Sequence, residues 1–233
     1  MTNKDKSIEY ILDHGLMKPK TVGEQVADIF RSLGWRFVFW DTAYSLIFAT
    51  LTVAVVFAVF AASPGHYRFS ATVAAAPLLY LMISVFTETT ERVSRIYELK
   101  QTCYYTTRQI TALRTACYSI AGAVYTAVLA LISMNSSAEF LPMLALGLLA
   151  LFVCAVPQLL ITRLTRCKWA NAIYATLWVF VNLALPMRLG EDWEKLLENL
   201  PIAVSLSIAA VGALILAYQI YKMLKEVEPY AIA

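Results

Sequence analysis

Six long apolar runs, at residues 42–62, 71–87, 115–134, 140–162, 169–187 and 201–221, leave this chain few ways to fold. An α-helix needs about 20 residues to cross the hydrocarbon core of a bilayer, with a working range of about 17–25. Each run meets that length, although the fifth is interrupted by Asn171, Asn182 and Pro186. None alternates polar with apolar side chains, and all exceed the ~9–11 residues of a barrel strand. Composition agrees: the chain is 60% hydrophobic and only 15% charged, with a mean hydropathy of +0.63. Soluble domains carry about 25% charged residues. The expected fold is therefore all-α, a polytopic membrane protein with six transmembrane helices.

The basic residues orient those helices. Short loops rich in Lys and Arg stay on the cytoplasmic side. Of the nineteen Lys and Arg residues, all but Arg68, Arg188 and Lys195 fall in the N-terminal segment, the 88–114 interval, the 163–168 turn and the tail. Both termini are thus expected in the cytosol, with three short loops outside. The net charge of +3 belongs to these membrane flanks and gives no reason to expect nucleic acid as a partner.

The chain divides into a cytosolic N-terminal segment (1–36), the transmembrane domain (37–222) and a cytosolic tail (223–233). No apolar core of a cleaved signal peptide lies near the first residues. A capping pair, Thr21 with Glu24, opens an amphipathic stretch in which Val22, Val26, Ile29, Phe30 and Leu33 recur at helical spacing. Trp35 and Trp40 follow, and indole rings favour the headgroup level. Residues 21–36 are read as a helix lying along the inner membrane surface. A small soluble helix pair folded on the cytosolic loops is the alternative.

The 88–114 interval is the longest polar stretch between apolar runs and carries Arg92, Arg95, Lys100, Arg108 and Arg114. Its middle mixes aromatic rings with charged and small polar groups: Tyr97, Glu98, Thr102, Cys103, Tyr104, Tyr105, Thr106, Thr107 and Arg108. Aromatic and Arg side chains are what protein–protein contacts favour. A tyrosine pair resting at the inner membrane interface is the other reading.

Glu98 followed by Thr102-Cys103-Tyr104-Tyr105-Thr106-Thr107-Arg108-Gln109 is similar to a glutamate-then-TCPYSPRQ-like pattern. That pattern occurs between the second and third helices of small permeases of bacterial ABC exporters, of the type V (ABC-type-two) kind. Tyr104 and Thr107 stand where the family has prolines. The resemblance implies a permease subunit in the bacterial cytoplasmic membrane, paired with a second permease copy and driven by a separate ATPase that holds ATP and magnesium. It further implies that residues 97–109 couple the two subunits, and that a short external or re-entrant helix lies between the fifth and sixth spans. An amphipathic cargo, peptide or lipid-like, suits the charge-poor interior. The competing class is a non-transport immunity or sensory protein whose cytosolic loop binds a regulator.

That outer connector, about 191–200, has Trp193, Leu196, Leu197 and Leu200 on one face and Glu191, Asp192, Glu194 and Glu198 on the other. Trp193 is read as an interface anchor. Asn182 is the polar group best placed to line a pathway, with hydrogen bonding between helices as its other role. Ser119, Ala123 and Ala127 on the third span, and Ala209, Ala213 and Ala217 on the sixth, are expected helix contacts, because small side chains permit close approach in lipid. No catalytic residue is identified, and no metal site or cofactor is expected in this chain. Glycine is never followed by lysine, so the phosphate loop GxxxxGK[ST] is absent. His14 and His66 are far apart, and the four cysteines lack CxxC spacing.

Overall fold

Apolar runs placed in lipid must satisfy every backbone group within the segment itself, so they coil. The computed structural model describes residues 31, 42–62, 67–93, 107–134, 137–165 and 169–225. Among these there is no strand. The elements are α1 (Thr42–Ala62), α2 (Arg68–Ala75), α3 (Leu78–Val93), α4 (Thr107–Ser133), α5 (Phe140–Leu164), α6 (Ala170–Leu189), α7 (Glu191–Glu198) and α8 (Ile202–Lys225). The expected interfacial helix at 21–36, Trp35 and Trp40 lie outside the described residues.

Five helical stretches are long and apolar enough to cross a membrane: Arg68–Phe86, Thr111–Ser133, Phe140–Thr162, Ala170–Leu189 and Ile202–Leu224. Within α1, the apolar stretch Ile47–Phe60 is shorter. The second span begins at Arg68 rather than residue 71, and it is jointed. Pro77 has no N–H to give the Val73 carbonyl, which separates α2 from α3. Ala76 N–H still reaches Thr72 O at 2.9 Å, and Leu81 N–H reaches Pro77 O at 2.9 Å, so helical hydrogen bonding resumes on both sides of the proline.

α5 is the hub. It packs against α2, α3, α4, α6 and α8, while α1 lies on α2 and α3, with Phe48 stacked on Phe86 at 4.9 Å between ring centroids. Small residues set the closest approaches. A methyl group at Gly147 of α5 would stand 2.5 Å from Thr126 Cγ2 on α4, and one at Gly212 of α8 would stand 2.9 Å from Phe152 Cβ on α5. Thr126 cannot swing away freely, because its hydroxyl donates to Gly122 O at 2.8 Å.

These contacts correct the expected packing faces. On α4 the buried line runs through Thr115, Tyr118, Gly122 and Thr126, while Ser119, Ala123 and Ala127 are only half-buried beside it. On α8 Ala209 is buried as expected, but Ala213 is half-buried and Ala217 is exposed; Ser205 and Leu216 complete the buried line. Alanine spacing located the right helices but not the right stripe. Thr115 and Thr126 donate back to their own helix, to Thr111 O and Gly122 O, and so bring no unpaired hydroxyl to the contact.

Candidate functional site

The interval singled out in the sequence connects α3 to α4. Tyr97, Glu98, Thr102, Cys103, Tyr104, Tyr105 and Thr106 lie outside the described residues, whereas Thr107 and Arg108 form the first turn of α4. α3 and α4 pack against one another, and each continues past its apolar section toward the interval. α4 has 27 residues, of which only Thr111–Ser133 counts as candidate span. Arg114, read from the sequence as one of the basic residues of the cytosolic interval, is buried with Ala112, Leu113 and Thr115. The reason is positional: the helix starts seven residues before Arg114, which places that side chain within the packed bundle.

A polar seam crosses the bundle near the same end. Asn171 Nδ2 of α6 donates to Thr162 Oγ1 of α5 at 2.8 Å, and the Thr162 hydroxyl donates to Gln158 O at 2.9 Å. The Gln158 side chain is fully buried, and neither its amide nitrogen nor its amide oxygen has a hydrogen-bond partner among the described residues. Asn182 of α6 is half-buried. Its Nδ2 donates to Trp178 O, one turn back on its own helix, at 2.9 Å. A side chain that can reach its own i−4 carbonyl satisfies itself locally, which residue type alone does not reveal.

The opposite end of the bundle carries the best-defined contact, and sequence reading missed it. Gly190 ends α6 through its N–H to Pro186 O at 2.8 Å and turns the chain at φ +57°, ψ −133°, a conformation open to glycine. α7 then packs against α2 and α6. Leu197 is buried and Trp193 and Leu200 are half-buried, but Leu196, expected on the same apolar face, is 55% exposed. Glu194, grouped in the sequence with Glu191, Asp192 and Glu198 on the polar face, reaches α2. Its Oε1 accepts from Phe69 N–H at 2.6 Å; its Oε2 accepts from Ser70 N–H at 3.2 Å and from the Ser70 hydroxyl. Tyr67, at the N-cap of α2, contributes no side-chain cap, so a carboxylate from 124–125 residues away does that work. A negative group at the electropositive start of a helix is favourable. The adjacent Lys195–Glu191 pair, at 3.5 Å, is solvent-exposed and contributes little.

Of the cysteines, Cys154 is buried and accepts at its backbone carbonyl from Tyr174 Oη at 3.2 Å, and Cys117 is half-buried. Cys103 and Cys167 lie outside the described residues. Among the described residues, no three His, Cys, Asp or Glu side chains gather into a metal-binding group. No protein-family model, no curated protein and no solved structure matches this chain.

Proposed function

We propose that this chain is the membrane subunit of an ATP-driven exporter, with residues 97–109 serving as the docking segment for a separate ATPase. The observation that carries this reading is the junction itself: an aromatic, basic interval, Tyr97 to Arg108 at its centre, joined at both ends to helices that pack together. A push on such an interval moves α3 and α4 as a pair, and α4 delivers it to the hub α5 through the Thr126–Gly147 contact. In this reading α1 is a sixth crossing, both termini lie on the interval's side of the bacterial cytoplasmic membrane, and a second copy of the chain completes the pathway. ATP and magnesium belong to the partner. The cargo is amphipathic, in keeping with apolar runs that are poor in charge.

The test is recovery of the candidate ATPase on the purified subunit. Truncating a buried aromatic anchor costs about 2 kcal/mol or more, whereas rim contacts cost far less. Tyr104→Ala combined with Tyr105→Ala should release the ATPase or leave it bound without substrate-stimulated hydrolysis. Lys222→Ala, at an exposed position on α8, should do neither. Equal recovery with undiminished hydrolysis in the double variant would remove the docking segment from the reading.

A further inference from the structure

α7 is attached to α2 and α6 along one narrow face. Among its described side chains only Leu197 is buried, Leu196 faces outward, and the Glu191–Lys195 pair is in solvent. Its two ends are pivots. Gly190 supplies the turn from α6, and Asn199-Leu200-Pro201 supplies the turn into α8, with Asn199 N–H on Lys195 O at 3.0 Å. Between these pivots one side chain, Glu194, makes every side-chain hydrogen bond from α7 to another element given by the described geometry. The same carboxylate supplies the side-chain partner for the Phe69 and Ser70 amides of α2, whose N-cap provides none.

We propose that α7 is a hinged strap, latched onto the outer half of the second span by Glu194, and that opening the latch releases both elements together. A simple helix cap would stabilise α2 alone. A latch, in contrast, makes the order of α7 depend on the same carboxylate. Charge-assisted hydrogen bonds of this kind are stronger than neutral ones, so their loss is large enough to free an eight-residue helix held otherwise by buried Leu197 and half-buried Trp193. The proposal does not depend on the exporter reading, because it concerns the motion of one connector in the isolated chain.

Amide hydrogen exchange on the full-length protein in detergent micelles tests it. In the parent protein the Phe69 and Ser70 amides and the 194–199 backbone should exchange slowly. Glu194→Ala should accelerate exchange by about tenfold or more in both segments, since exchange follows the free energy of local opening. Ser70→Ala, which deletes one of the three donors, should give a smaller acceleration in the same two segments. Lys195→Ala should change neither. Acceleration confined to residues 69–70 would reduce Glu194 to a cap and overturn the strap. Unchanged exchange in both segments would overturn the latch as well. Should Glu194→Ala fail to give monodisperse protein, the Ser70→Ala comparison decides in the same way.

Discussion

In the 18-residue apolar stretch of the Arg68–Phe86 span 67% of residues are buried inside the protein, against 17% in that of Ile202–Leu224, although both are apolar enough to cross a membrane. The difference lies in placement: the second span packs on α1, α4, α5, α6 and α7, and the last span chiefly on α4 and α5. From Ser70 to Ala76 the second span presents Ser, Ala, Thr, Val, Ala, Ala and Ala, which lets α5 approach until Ala76 Cβ and Thr72 Cγ2 stand 3.6 Å from the Cβ position of Gly147. The last span exposes Val211, Leu214, Ile215 and Tyr218 and touches its neighbours along the narrow line of Ser205, Ala209, Gly212 and Leu216. Lipid is as apolar as leucine, so hydropathy does not decide which helix is central. Fit does.

The strongest way to break this comparison is to spoil the fit at the centre. Gly147→Ala should destabilise the protein by about 1–3 kcal/mol, because the Thr126 methyl cannot move without giving up its hydrogen bond to Gly122. Removing that methyl by Thr126→Ser should restore most of the loss in the double variant. Thermal melting in detergent reads both; a Gly147→Ala protein melting with the parent would show that the α4–α5 approach is slack.

A smaller effect, of opposite sign, is expected at Gln158. An amide buried without partners costs more than an apolar group of the same shape. Gln158→Met should raise stability by about 1 kcal/mol. A fall in melting temperature instead would mean that the amide is engaged in the protein as purified.

The smallest effect is expected at the periphery. Leu214 is 71% exposed, and lipid replaces whatever its side chain loses, so Leu214→Ala should change stability by less than about 0.5 kcal/mol. A loss comparable to that of Gly147→Ala would mean that this face of α8 is covered by protein.

The helices themselves were legible in the sequence because apolar length is a local property. The run 42–62 is helix α1, and the run beginning at Phe140 opens α5 at that residue. Facing and partnership were not legible in the same way. Ser119, Ala123 and Ala127 have the spacing of a contact stripe, but the buried stripe runs one residue away through Tyr118, Gly122 and Thr126, where the threonine hydroxyl is satisfied by its own backbone. Glu194 read as one acid among four on a polar helix face, since nothing within α7 records that an uncapped helix start lies beside it. The start at Arg68 was missed because a leading charge was taken as loop, although the helix carries it at its first turn. The 97–109 segment lies where described helices end, so its sequence remains the fuller record of that site.

Pro77 divides the second span into two helices, whereas Pro157 and Pro186 lie inside α5 and α6 without ending them. The α2 half is clamped at one end by Glu194 and at the other by the close seat of Thr72 and Ala76 against Gly147. The α3 half runs on toward the interval from a joint where one backbone hydrogen bond is missing. The second span is therefore two helices in series rather than one rod, and both are seated: Leu78, Leu81 and Ile83 beyond the joint are as buried as Ala75 and Ala76 before it.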